Sequence, residues 1–282
     1  MNDSADLKAS ERRAWASVAA GWQRRDELLK RGAAPVTEKL IELARITAAH
    51  HVLDIASGVG EPSLSIAKRV GSNGRVIGTD LTDEMLEYAR SKAARQGIDH
   101  VEYHCVDGET LDFPAASFDA VTCRWGLMFM PDPVACLRLA HGVMKDGARL
   151  AVACWDTPDK NPFVSLLIQV LSQHMDVPRP APGTPGIFAL ADPQRLQEVL
   201  EAAGFRNVEL ASVTIDVVEV EDGRAYWEAM SDLAAPVMTL VNQLDPNTRE
   251  RYINDVITAA DAMKQGDTLR MRGTTWVAAA QR

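Results

Sequence analysis

No stretch of this 282-residue chain approaches the roughly eighteen consecutive apolar residues of a membrane-spanning helix. The opening residues MNDSADLKASERRAW lack the basic-then-apolar order of a secretory signal, so a cytoplasmic protein is expected. Cysteine is scarce. The four present, Cys105, Cys123, Cys136 and Cys154, stand at least thirteen residues apart with no CxxC pair, which argues against a disulfide framework or a zinc site and for buried small hydrophobes. No His, Asp and Glu cluster has metal-ligand spacing, so no metal is expected. Basic charge is also short: thirty basic against thirty-nine acidic residues leave −9, with no basic stripe to neutralise a phosphate backbone. Nucleic acid and membrane partners are therefore not expected, and a small molecule is.

What remains is a composition suited to a packed core, 46% hydrophobic and 24% charged. Strand-like runs, HVLDIA (51–56), RVIGTD (75–80), VEYHCVD (101–107), FDAVTC (118–123) and ARLAVACW (148–155), alternate with helical segments. Several are apolar along most of their length, as in a parallel sheet covered on both faces. Two more strands are expected at 208–220 and 270–281. Between the fifth and sixth strands, Leu196, Val199, Leu200 and Ala203 form a helical stripe behind a capping Asp192, with Gly204 as its stop. The fold class is α/β with a doubly wound sheet of seven strands.

In such sheets ligands bind beyond the carboxyl ends of the strands. The turn after the first strand, DIASGVGEP, carries Gly58 and Gly60, which free backbone amides and leave room for a ligand. Asp80 closes the second strand, where a carboxylate can accept from both hydroxyls of a ribose. Asp107 closes the third, followed by Gly108 and Glu109, placing acceptor and amides where a purine edge could lie.

With GTDLTDEML, CVDGETLDFPAASFDAV and MKDGARLAV alongside that turn, residues 35–155 resemble the class I S-adenosylmethionine-dependent methyltransferases, within them the ubiquinone/menaquinone biosynthesis C-methyltransferase-like group. The resemblance implies a Rossmann-like methyltransferase sheet with a helical lid, S-adenosyl-L-methionine as cofactor and S-adenosyl-L-homocysteine as product. It implies that Asp54, Ala56, Ser57, Gly58 and Gly60 shape the methionine pocket and that Asp80 holds the ribose. Leu81 and Met85 would flank the adenine, Asp107 with Gly108 would take its amino group, Cys123, Arg124 and Trp125 would border the sulfonium, and Trp22 would close over the cofactor. Ala56 stands where the wider class has glycine, and KDGA replaces KPGG. A nicotinamide-binding domain would need a third glycine where Ser63 stands.

The expected organisation is a helical lid at 1–34, a cofactor-binding core at 35–221 with an inserted helix at 159–174, a helical lid insertion at 222–265 with Trp227 and several methionines, and a last strand within 266–282. Catalytic candidates are His174, at the end of the apolar stripe 163–174, and Arg124 and Trp125 just past the fourth strand. The expected activity is methylation of a small, apolar or aromatic metabolite at carbon, oxygen or nitrogen by a monomer or homodimer. Two alternatives stand beside it: a cofactor-bound cyclase or other non-methylating enzyme, and a non-catalytic cofactor-binding subunit.

Overall fold

The computed structural model describes residues 2–178, 181 and 183–282. Two helices, α1 (Asn2–Arg24) and α2 (Asp26–Leu43), precede the sheet. Then β1 (His51–Ile55), β2 (Arg75–Asp80) and β3 (Val101–Cys105) alternate with α3 (Ser63–Val70) and α4 (Asp83–Arg95). After these come β4 (Phe118–Arg124), α5 (Pro133–Val143), β5 (Met144–Trp155), α6 (Pro162–Leu171), α7 (Pro193–Ala202) and β6 (Arg206–Val220). A helical group, α8 (Gly223–Leu233), α9 (Ala235–Val241) and α10 (Pro246–Asp261), leads into β7 (Leu269–Gln281).

The sheet order is β3-β2-β1-β4-β5-β7-β6, with β7 antiparallel to both neighbours and the other pairs parallel. The central strands are buried on both faces; Val52 and Leu53 of β1 are wholly shielded, as the continuous apolar reading required. Winding reverses direction between β1 and β4, so the two connections leaving them diverge and open a crevice at their carboxyl ends.

Helix starts follow capping chemistry. Asp132, Asp192, Asp222 and Asp245 each accept from a backbone N–H of the first turn, with Pro next in three of the four. Differences from the expected organisation are local. The boundary at 34/35 falls inside α2, which continues through Pro35 because Val36 and Leu40 bury completely against the sheet. The fifth strand starts at Met144 rather than 148, carrying KDG within it through Gly147 at φ +77°. Cys105 is exposed, at the open edge strand β3, while the other three cysteines are buried. No helix among the described residues is long and apolar enough to cross a membrane.

A small apolar cluster ties α1 to this frame: Val18 and Ala19 pack with Val59 of the glycine turn, Met85 of α4 and Ala235 of α9. The far end of α1 is fixed to α8 by Trp22 Nε1 donating to the Leu233 carbonyl at 3.2 Å and by Arg24 and Arg25 pairing with Asp232.

Candidate active site

The crevice begins at the turn after β1. Gly58 (φ +51°) and Gly60 (φ +101°) are needed for different reasons. A Cβ on Gly58 would meet nothing within 4 Å, so that position faces open space; one on Gly60 would press on Tyr103, Ala89 and Leu64 at 3.1–3.2 Å, so that position faces packed interior. The front of the turn is thus bare backbone and the back is locked.

Asp80 holds this turn to the next helix. Its Oδ2 accepts from Gly58 N at 2.9 Å and its Oδ1 from Thr82 N at 2.9 Å, leaving further lone pairs toward the cleft it lines. Burial raises its pKa, and the hydrogen bonds from Gly58 and Thr82 oppose that rise. Asp54 lies one layer deeper, fully buried, accepting from the hydroxyls of Ser63 and Thr122. Burial pushes its carboxyl up to about 6 against those hydrogen bonds.

At the end of β3, Asp107 Oδ1 accepts from Glu109 N at 2.9 Å, and Lys8 of α1 lies 2.7 Å from Asp107 Oδ2 and 2.6 Å from Glu109 Oε2. At the end of β4, Arg124 donates to Thr37 Oγ1 at 2.7 Å and to the Glu61 carbonyl at 3.0 Å, and stands 5.0 Å from the ring centre of Trp125. Trp125, at φ +60°, stacks on Trp155 with ring centres 4.3 Å apart and donates its N–H to Thr275.

Of the residues expected at the cofactor, Trp22, Ala56, Ser57, Gly58, Asp80, Leu81, Met85, Asp107, Gly108 and Arg124 line one cleft of about 160 Å³. Asp54, Gly60 and Cys123 do not: they form the layer behind it, and the buried Cys123 thiol is pushed up to about 12. His174 lies away from both the cleft and the cavity beside it. Because α6 ends at Leu171, the imidazole falls in the following turn, where Nε2 meets Asp255 Oδ2 at 2.9 Å and the ring packs edge-on against Tyr252. Trp227 likewise packs against Tyr252 rather than facing a cavity.

Beside the cleft is a larger cavity of about 1260 Å³, walled by Trp155, Phe163, Phe188, Val217, Met230 and Leu240. Part of the proline-rich stretch 177–186 borders it; Arg179, Pro180 and Pro182 lie outside the described residues. Five residues line both spaces: Trp15, Trp22, Leu29, Trp125 and Phe129. The rings of Trp15 and Phe129 meet edge to face at 5.2 Å, and those of Trp15 and Trp22 at 5.8 Å. Lys8 and Phe129 had no signal in the sequence as site residues, whereas Trp15 shares with Trp22, Val18 and Ala19 the helical face from which Trp22 or its neighbours were expected to close over the cofactor. Among the described residues, no three His, Cys, Asp or Glu side chains gather as a metal site.

A family model described as a methyltransferase domain matches residues 46–204. The chain is 30% identical over 222 residues to the ubiquinone/menaquinone biosynthesis C-methyltransferase UbiE of a Marinomonas species, covering 73% of this chain and 87% of that protein. Among solved structures it is similar to the YcgJ protein of Bacillus subtilis (20% identity, 87% of this chain and 97% of that one, TM-score 0.57) and to the cyclase SpnF (19% identity, 94% and 96%, TM-score 0.56). Below 25% identity these two carry the fold alone, whereas the family match and the UbiE likeness carry the chemistry. The chain belongs to the class I S-adenosylmethionine-dependent methyltransferases.

Proposed function

We propose that the cleft holds S-adenosyl-L-methionine along the ends of β1, β2 and β3 and that the larger cavity receives a flat, apolar ring compound. The observation that carries this reading is the aromatic junction: two spaces of different chemistry, one rimmed by carboxylates and bare backbone, the other apolar, meet at Trp15, Trp22, Trp125 and Phe129.

The residues present fit the cofactor. Asp80 has unspent lone pairs for the ribose hydroxyls, and the open space before Gly58 accommodates the methionine portion against Ala56 and Ser57. Leu81 and Met85 provide apolar surface for the adenine and Asp107 an acceptor for its amino group, while Arg124 closes the wall at the end of β4. When bound, the cofactor supplies an electrophilic methyl group on a sulfonium. The chain's own residues then align and exclude water. None of the five residues shared by the two spaces titrates, so the junction works as walls, and good alignment alone recovers roughly 7–11 kcal/mol of a bimolecular barrier.

The acceptor class follows from two supports: the aromatic walls suit a planar ring, and relatives are named for C-methylation in ubiquinone/menaquinone biosynthesis. An electron-rich ring carbon of a quinone precursor is the acceptor we favour. The helices of 1–34 and 222–265 serve as the lid, through Trp15 and Trp22 on one side and Met230, Val237 and Leu240 on the other.

Calorimetric titration with S-adenosyl-L-homocysteine tests the cleft. Saturable binding is expected, and Asp80→Ala should weaken it more than tenfold, since hydrogen bonds to charged groups are worth about 1.5–3 kcal/mol each. Unchanged affinity in that variant overturns the ribose assignment. Incubation with methyl-labelled cofactor and a panel of quinols and phenols reads the product: label on a ring carbon supports the proposal, while an unchanged mass points to the cyclase alternative.

A further inference from the structure

The first turns of α1 lie over the nucleoside end of the cleft, which Lys8, Glu11 and Trp15 all line from the same helix. At its far end the helix is secured by Trp22, Arg24, Arg25 and the close approach of Gly21 to Asp232, where a Cβ would collide with backbone. Nearer its start, among the described side chains, Glu11 takes the indole N–H of Trp15 on the same helix, and Lys8 reaches to Asp107 and Glu109.

That reach ends at Asp107, the carboxylate proposed to accept the adenine amino group. Oδ1 of Asp107 accepts from Glu109 N, and the Lys8 ammonium stands 2.7 Å from Oδ2, in the space from which an adenine amino group would approach that oxygen. A cationic donor therefore sits where a neutral N–H donor is needed. Lys8 is itself part of the lining of the cleft, so with its ammonium seated that end is occupied by the side chain.

We propose that Lys8 is an internal competitor for the adenine subsite: its ammonium occupies the Asp107–Glu109 pair until the cofactor displaces it, and the start of α1 swings out on its fixed far end to admit the nucleoside. The inference rests on the reading of the cleft as the cofactor site. Binding then costs the opening of the contact, so the apparent dissociation constant exceeds the intrinsic one by the inverse of the open fraction. The Lys8 side chain is 23% exposed, so the contact is partly screened and weakens with salt. Two partly exposed ion pairs of this kind shift an equilibrium about three- to tenfold.

The test is titration and stopped-flow binding of S-adenosyl-L-homocysteine to the full chain and to Lys8→Met and Lys8→Arg. Lys8→Met should bind about three- to tenfold tighter, chiefly through faster association, and Lys8→Arg should stay near the parent. Raising salt from 50 to 500 mM should tighten binding to the parent more than to Lys8→Met. Equal or weaker binding by Lys8→Met overturns the competitor role, the weaker case marking a clamp that holds bound cofactor. If neither the parent nor either variant binds, the reading of the cleft itself fails and the competitor role with it.

Discussion

Gly126 and Ala56 are in tight van der Waals opposition, and each limits the side chain the other can carry. They follow the adjacent strands β4 and β1, and Ala56 is held at φ +57°, where an L-residue costs about 1–2 kcal/mol relative to the right-handed region. Its methyl group projects at Gly126. A Cβ added there would lie 2.3 Å from the Ala56 Cβ and 3.2 Å from Cys123 Sγ, against the ~3.5–4.0 Å of ordinary carbon contact. Gly126 itself has φ −101°, which alanine adopts freely, so Gly126→Ala carries no backbone strain and gains about 0.4–1 kcal/mol from a less flexible unfolded chain. Overpacking costs about 1–3 kcal/mol, and both methyl groups sit on backbone with little room to yield. A net loss of roughly 1–2 kcal/mol is expected. Ala56→Gly relieves the left-handed strain but adds unfolded-state freedom worth about 0.5–1 kcal/mol, so it should fall within about 1 kcal/mol of the parent. The double variant removes the collision and should recover most of the loss. Urea unfolding of the four proteins at constant m value measures the coupling, expected at roughly 1–3 kcal/mol. Additive effects, or a Gly126→Ala protein as stable as the parent, would refute the reasoning.

Asp54, raised to about 6 by burial, should shape the pH profile of stability. Its unfolded value is about 3.9, so between those values the folded chain retains a proton that the unfolded chain has released. The stability it contributes is present below about pH 4 and is lost as pH rises to about 6, by roughly 3 kcal/mol. Asp54→Asn should flatten unfolding free energy across that window, and an unaltered slope would contradict the assignment. Trp22 and Trp227 should separate. Trp22→Ala opens the wall shared by both cavities and should lower kcat/KM roughly 10–100-fold; Trp227→Ala, packed outside them, should cost about 2 kcal/mol of stability without touching turnover. Equal turnover losses would place the second ring in the lid after all.

The centre of the sheet was readable because β1, β4 and β5 are apolar along most of their length, so those runs announced themselves without help from partners. The same holds for the helix caps: Asp192 before Pro193 is a local instruction, and the structure shows Asp192 accepting from Gln194 N. Reading failed where tertiary packing overrides a local sign. The boundary at 34/35 followed the start of the family resemblance, yet α2 runs through it, Pro35 included, because Val36 and Leu40 have a sheet to bury against. The apolar stripe 163–174 kept helical spacing for three residues beyond the real end of α6, and that overrun moved His174 from a helix terminus into a turn facing Asp255.

The two halves of the site differ in how far their residues are fixed by position along the chain. Asp80 and Asp107 close or follow successive parallel strands, and parallel strands deliver their carboxyl ends to one edge, so topology alone brings them to the same cleft. The larger cavity, proposed for the acceptor, has no such rule. Trp22 comes from α1, Trp125 from the end of β4, Trp155 from β5, Phe163 from α6, Val217 from β6 and Val237 from α9, and only the folded chain assembles them. The family match spans 46–204, which leaves out α1, α2, β6 and the α8–α10 helices. Three of the five residues at the junction, Trp15, Trp22 and Leu29, therefore lie outside the matched segment. On the proposed reading, likeness across that segment carries the strand-end part of the cleft while leaving α1, α2 and much of the proposed acceptor wall free to vary, so two members alike from 46 to 204 could still differ in substrate.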